Sequence, residues 1–372
     1  MNSGKKASRR QFLTGKAAVD ALHRLHWGGG RSKGEEQEPP AARSGKQPSD
    51  PLIQIGRRAM ACDFQAFCRP DRYPGAVEAA SEALDLVDVL EDQMTVFREH
   101  SDIMRVNRTA YQRPCPLEFR LFELLCRCVD WYHATGGAFD ITAGPLVKLW
   151  GFYTRRGRFP EPDQIEATMQ RVGSCYLQLD RDQSTVRFTR GGMELNLGSV
   201  GKGYALDRCS ELLEDAGVES FMIHGGQSSL LARGVRRESD ESREEVPWRV
   251  AVRHPLRPER RLAELVVRDQ AVGTSGSGRQ FFYHRGRRYG HVLDPRNGVP
   301  AEGVLSATVL APTAARADAL ATTFFVLGVD ATAAYCENRP ELSVVFVLPG
   351  TRKGTVAIEI IGPDDAIHLL DK

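Results

Sequence analysis

Asn196-Leu197-Gly198-Ser199-Val200-Gly201-Lys202-Gly203-Tyr204-Ala205-Leu206-Asp207 reads as a glycine-rich turn that runs into a helix. Three glycines let the backbone come close to a ligand, helix-terminal N–H groups favour an anion, and Lys202 adds positive charge. It is not a Walker A loop. Asn196 stands five residues before Gly201 where a glycine would be needed, and Gly203 replaces the Ser or Thr of that motif. Taken alone, the stretch is a structural turn more readily than a ligand cradle. The helix it opens runs from about Gly203 to Ala216, with Gly217 as C-cap, and leads into the strand Ser220-Phe221-Met222-Ile223.

Strands and helices alternate irregularly on both sides of this unit. Ile53 to Cys68 reads as extended chain. Ala76, Ala80, Ala83, Val87, Leu90 and Met94 recur at spacings of four and three, one face of a long helix. Residues 118–134 are a second helix. Leu177, Leu179, Val186 and Phe188 alternate with polar partners around Asp180-Arg181-Asp182, a hairpin signal. Trp248–Arg253, Leu262–Val267 and Leu305–Leu310 read as strands, and the acid-rich run 234–246 as an exposed hairpin tip. An apolar helix from Ala314 to Leu327 ends at Gly328, and the strands Leu342–Leu348 and Val356–Ile361 follow. Without a strict βαβ rhythm, the order favours α+β over a doubly wound sheet.

Composition narrows the partners. Gly and Pro total 55 of 372 residues, which excludes a collagen-like or wholly disordered chain. Residues 1–50 hold ten Lys/Arg against five Asp/Glu, so the net +2 leaves −3 on the remainder. A body of that charge lacks the positive field of a nucleic-acid binder. No run reaches the roughly 18 to 20 apolar residues of a bilayer span, so a soluble body without a transmembrane segment is expected. The eight cysteines do not form a disulfide framework in a chain this long, and Cys126-x-Cys128 is too close for a zinc knuckle. Buried, reduced thiols are expected. At the N-terminus, Ser8-Arg9-Arg10-Gln11-Phe12-Leu13 resembles a twin-arginine export signal, but charges break the apolar region that should follow. A degenerate signal and a basic amphipathic segment both remain open. Residues 1–50 are assigned to a basic, mostly disordered arm and 51–372 to one folded domain.

Four further segments carry unusual residues. Gly136-Gly137-Ala138-Phe139-Asp140-Ile141-Thr142-Ala143-Gly144-Pro145 suits a wall for a flat ring, or simply a tight turn opening a buried helix. Thr274-Ser275-Gly276-Ser277-Gly278 reads as a hydroxyl-rich turn able to surround phosphate. His291 precedes an apolar strand end and the turn Asp294-Pro295-Arg296-Asn297-Gly298; a lone histidine is more often structural than catalytic. Asp318 and Thr322, four residues apart, share one face of an otherwise apolar helix and offer the hard oxygen donors that Mg2+ prefers. The plain alternative is a solvated Asp and a Thr bonding back to its own helix.

Taken in order, these segments resemble the ApbE-type family of FAD:protein FMN transferases. The resemblance covers about Arg58 to Gly328: the Met60 strand, the Ser101–Asn107 turn, Gly137-Ala138-Phe139-Asp140 through Leu149-Trp150-Gly151, and Gly201-Lys202-Gly203-Tyr204-Ala205. It continues through Gly225-Gly226, Thr274-Ser275-Gly276, His291 to Pro295, and Ala317-Asp318-Ala319-Leu320-Ala321-Thr322. It implies an α+β fold and Mg2+-dependent transfer of FMN from FAD to a Thr or Ser hydroxyl of an acceptor flavoprotein, with AMP leaving. By the same resemblance Met60, Phe97, Ala138, Phe139, Asp140, Asn196, Lys202 and Val292 contact FAD. The Ser199 carbonyl with Asp318 and Thr322 binds Mg2+, and His291 is the catalytic histidine. The chain departs from the family where Phe97 replaces a common Tyr, Asn196 a frequent Asp, Gln227 a usual Asp, and Ala321 an Asp of some members. A hydrolase releasing FMN and AMP, and a non-catalytic flavin-binding protein, are the alternative readings.

Overall fold

The computed structural model describes residues 52–237, 245–278, 280–352 and 354–370. The arm with Arg9-Arg10 and most of the acidic tip lie outside the described residues. Eight strands form the central sheet: β1 Ile53–Ala59, β2 Cys62–Cys68, β3 Phe221–Gly225, β4 Ser229–Arg233, β5 Gln270–Gly276, β6 Ser306–Ala311, β7 Ser343–Pro349 and β8 Val356–Ile361. Their spatial order is their chain order, and every neighbouring pair is antiparallel. The helices are therefore insertions into a meander. Between β2 and β3 come α1 Ala76–Met94, α2 Asp102–Thr109, α3 Phe119–Ala134, α4 Gly144–Leu149, α5 Pro162–Met169 and α6 Gly201–Asp215; α7 Ala314–Cys336 joins β6 to β7. This is the expected α+β architecture.

Both faces of the sheet are covered, which the pleat makes visible. Ala271, Val309, Val344 and Phe346 face the helices, with Phe64, Phe221, Leu320 and Phe324. Their neighbours Val272, Leu310 and Val345 face the opposite way, onto Trp248, Val252, Ala263 and Leu265. These belong to a three-stranded sheet of Trp248–His254, Arg257–Val267 and Ile367–Leu369. Burial on both sides explains why Val344-Val345-Phe346-Val347 is continuously apolar rather than alternating. Each fully buried Phe contributes about 1.5–3 kcal/mol relative to exposure. A smaller cluster of Leu146, Trp150, Phe152, Val172 and Leu293 holds α4 against the turn after His291, and Trp150 Nε1 donates to the Gly298 carbonyl at 2.8 Å.

Four expectations change. Ile53–Cys68 is not one extended run: Met60 and Ala61, at φ 49° and 58°, form a two-residue turn pairing Ala59 with Cys62. Neither is the glycine that positive φ invites, so sequence gave no warning. Ser101–Asn107 is the start of α2, with the Ser101 hydroxyl accepting from the Met104 N–H at 3.0 Å. Thr274, Ser275 and Gly276 lie in β5, and the turn begins after them. Finally, α7 is long and apolar enough by length and composition to cross a membrane. Here its first half is core, packed on the sheet and α6, and Gly328 at φ 76° interrupts the helical geometry.

Candidate active site

The N-terminal turns of α6 and α7 meet over β4 and β5. Contact this close depends on two glycines. A Cβ on Gly203 would overlap the Ala314 carbonyl, and one on Gly273 of β5 would overlap the Ala317 carbonyl and approach the Asp318 nitrogen at 2.7 Å. Both obstacles are backbone and cannot rotate away. Gly273→Ala is therefore expected to push α7 off the sheet and destabilise the fold by about 1–3 kcal/mol. Thermal denaturation should show a melting temperature lower by several degrees; an unchanged value would mean that α7 has slack at this contact.

Asp318 lies at this junction with only 6% of its surface exposed. Its carboxylate accepts from Ser229 Oγ at 2.7 and 2.9 Å and from the Gly203 N–H at 2.8 Å, and Lys202 Nζ stands 3.9 Å away. Burial pushes its carboxyl above the usual range, against the pull of Lys202, Ser229 and the Gly203 N–H. One helical turn on, Thr322 Oγ1 shares a hydrogen bond of 2.8 Å with Ser275 Oγ on β5. The half-buried Ser199 lies in the turn just before α6. These residues suit Mg2+. They supply hard oxygens, and the long Lys202 ion pair leaves buried negative charge that a divalent cation would neutralise. Among the described residues no group of three His, Cys, Asp or Glu side chains offers a rival metal site.

His291 is half-buried at the mouth of the hairpin Phe281–Gly290, edge-on to Phe152 at 6.4 Å between centroids. Its Nδ1 lies 3.1 Å from the Gln280 carbonyl oxygen, which can only accept. The proton of the neutral ring is thus on Nδ1, and the Nε2 lone pair is left for another proton. Burial lowers its pKa from the ordinary 6.5, the Gln280 hydrogen bond opposes this, and the charge of Lys202 lowers it further. Gln280 is itself anchored, its Nε2 donating to the Phe152 carbonyl at 2.7 Å. Burial and the charge of Lys202 both favour the neutral ring. Val292 beside it is buried.

A second group centres on an exposed aromatic ring. Phe97 is 72% exposed, unusual for so large an apolar ring, and meets Tyr153 edge-on at 5.7 Å. The Tyr153 hydroxyl accepts from Asn196 Nδ2 at 2.8 Å, while Asn196 Oδ1 accepts from the Gly198 N–H at 2.7 Å. Asn196 thus braces the turn that carries Ser199 and leads into α6 with Lys202.

Other candidates point inward. Phe139 packs edge-on against Trp131 at 5.8 Å in the core, and Ala138 is buried. The Asp140 carboxylate is occupied by Ser174 Oγ at 2.6 Å, Thr142 Oγ1 at 2.7 Å, the Thr142 N–H at 2.8 Å and the Ser174 N–H at 3.2 Å. Burial raises its pKa and these four donors oppose the rise. Asp140 ties the Thr142 and Ser174 segments together from within. Met60 sits at the strained β1–β2 turn. The spacing of motifs did not identify Ser229, Tyr153 or Gln280, whose partners lie 89, 43 and 128 residues away, and it singled out Ser275 without naming Thr322, 47 residues on, as its partner.

The ApbE family model matches residues 60–346. A curated FAD:protein FMN transferase of Treponema pallidum is 31% identical over 302 residues, 79% of this chain and 82% of its own length. One from Klebsiella pneumoniae is 34% identical over 266 residues, 68% of this chain and 74% of its own. Among solved structures, the ApbE protein of Thermotoga maritima superposes with a TM-score of 0.72 at 25% identity, covering 83% of this chain and 97% of that one. The apo flavinyl transferase ApbE of Pseudomonas stutzeri gives 0.72 at 28%, covering 83% and 94%. With most of its length matched in sequence and in fold, the chain belongs to the ApbE family.

Proposed function

We propose that this protein is an FAD:protein FMN transferase that joins FMN to a Thr or Ser hydroxyl of an acceptor protein and releases AMP. The observation that carries the reading is His291, fixed with its Nε2 lone pair free and its pKa lowered, in the field of the Lys202 that pairs with Asp318. The acceptor oxygen attacks the phosphorus of the FMN half, its proton passes to His291 Nε2, and the bond from that phosphorus to the bridging oxygen breaks. AMP leaves with the bridging oxygen. Lys202 offsets charge on the phosphates. Asp318, Thr322 and the Ser199 carbonyl would hold Mg2+, which would supply charge neutralisation on the pyrophosphate. Phe97 offers an open ring face for stacking, and the Asn196–Tyr153 pair holds the turn in place. The names of the relatives, FAD:protein FMN transferases, support transfer of FMN from FAD to a protein.

Incubation with FAD, Mg2+ and a Thr-containing acceptor peptide, followed by mass spectrometry, tests the proposal. The expected product is peptide carrying FMN, with AMP in equal amount. Free FMN and AMP with unmodified acceptor would make the protein a hydrolase, and FAD recovered intact would leave a flavin-binding protein.

A further inference from the structure

The junction that places Asp318 is built twice, once in each direction. Asp318 of α7 accepts from the Gly203 N–H of α6, and Asp207 of α6 accepts from the first two N–H groups of α7. Its Oδ1 takes Ala314 at 2.7 Å and its Oδ2 takes Ala315 at 2.9 Å. Each carboxylate lies four residues beyond the point where the helices touch, at Gly203 and Ala314. The two helices exchange caps.

Electrostatics explains why. Two helix N-termini meet, each carrying roughly half a positive charge, with Lys202 and Arg316 in the same turns. Unsatisfied N–H groups and like-signed dipole ends would push the helices apart. Two carboxylates, the buried Asp318 and the half-buried Asp207, one from each helix, offset both effects. Burial pushes Asp207 up to about 6 against the pull of the Ala315 and Ala314 N–H groups and of Arg233 on β4, with Asp318 adding to the rise. The two N–H groups thus favour the ionised side chain against a desolvation penalty.

We infer that Asp207 is a positioning residue: by fixing the start of α7 against α6, it sets where Asp318 and Thr322 stand relative to Ser199 and Lys202. The inference rests on the proposed Mg2+ site. Asn at position 207 keeps one acceptor oxygen but presents an amide N–H2 where the second N–H needs an acceptor. The first turn of α7 then shifts, and the two metal-binding side chains one and two turns later move with it. Partners that orient metal ligands typically change metal affinity by about 10–100-fold.

The test measures Mg2+ binding to full-length protein by calorimetry, without turnover, in wild type, Asp207→Asn and Thr313→Ala. Thr313 caps the same helix end through the Arg316 N–H at 3.4 Å and is not hydrogen-bonded to Asp207. Its loss reports general fraying, about 2–4 °C in melting temperature. The expected result is Mg2+ binding at least about 10-fold weaker in Asp207→Asn, with FAD binding retained, and Mg2+ binding within about twofold of wild type in Thr313→Ala. Wild-type affinity in a folded Asp207→Asn variant, or an equal loss in Thr313→Ala, would overturn the inference. If Asp207→Asn does not fold, Asp207→Glu decides by the same measurement, weak binding supporting the inference and wild-type binding overturning it. Wild-type protein that takes up no Mg2+ would remove the metal reading first and this inference with it.

Discussion

Asp318→Ala is expected to lower FMN transfer by about 10³-fold while FAD binding remains measurable. The size follows from what the carboxylate would hold. Lewis-acid stabilisation of a phosphoryl transition state is worth several kcal/mol, and each 1.4 kcal/mol is tenfold in rate. Loss of the side chain also strands the Ser229 hydroxyl and the Gly203 N–H in a buried place, at about 1–3 kcal/mol for each unsatisfied group. Stability and chemistry must therefore be separated. Asp318→Asn keeps an acceptor oxygen for one of these donors and removes the charge. It should melt closer to wild type yet transfer FMN almost as poorly as the alanine variant. Rates of FMN-peptide formation over a Mg2+ titration, with melting temperature and flavin fluorescence beside them, check this. Unchanged activity of a folded variant at limiting Mg2+ removes Asp318 from the site, and turnover indifferent to a chelator sinks the metal mechanism altogether.

Local periodicity was enough to read most elements. The apolar face of Ala76–Met94 and the Gly217 cap are local signals, and both stand in the structure. What stayed hidden falls into two kinds. Turns such as Met60-Ala61 adopt positive φ without glycine, because tertiary structure imposes a conformation that local propensity opposes. Partners are the other kind. Asp318 stood out as a lone carboxylate on an apolar helix that needed company, but nothing local names Ser229 or Gly203 as that company. Asp140 shows the same limit: its motif marked it as a candidate, but nothing local named Thr142 and Ser174 as the donors to its oxygens. Spacing shows which residues share a face, and only the fold shows whether a polar atom is already satisfied.

His291→Ala should fold, bind FAD, and transfer FMN at least about 100-fold more slowly, since a general base contributes typically 10²–10⁴ in rate. The pH dependence distinguishes a base from a structural imidazole. The ring must be neutral to accept a proton, and burial holds its pKa below the ordinary 6.5. Wild-type transfer should therefore be level above about pH 6.5 and fall on the acid side as Nε2 is protonated. The alanine variant should lose that acid limb together with its rate. Stability follows the same sign. With the folded pKa below the unfolded one, the unfolded chain binds more protons as pH drops, so His291 takes stability away on the acid side of 6.5. His291→Ala should flatten that part of the stability curve while losing little at neutral pH. A purely structural histidine predicts the opposite order: a lower melting temperature at pH 7 with near-normal transfer in whatever remains folded. Gln280→Ala offers an independent check, because it removes the anchor to the Phe152 carbonyl and leaves the imidazole in place. Its transfer rate should fall by a smaller factor, about tenfold on the scale of other orienting partners, with the acid limb retained. An acid limb that survives unchanged in His291→Ala would assign the proton to another group.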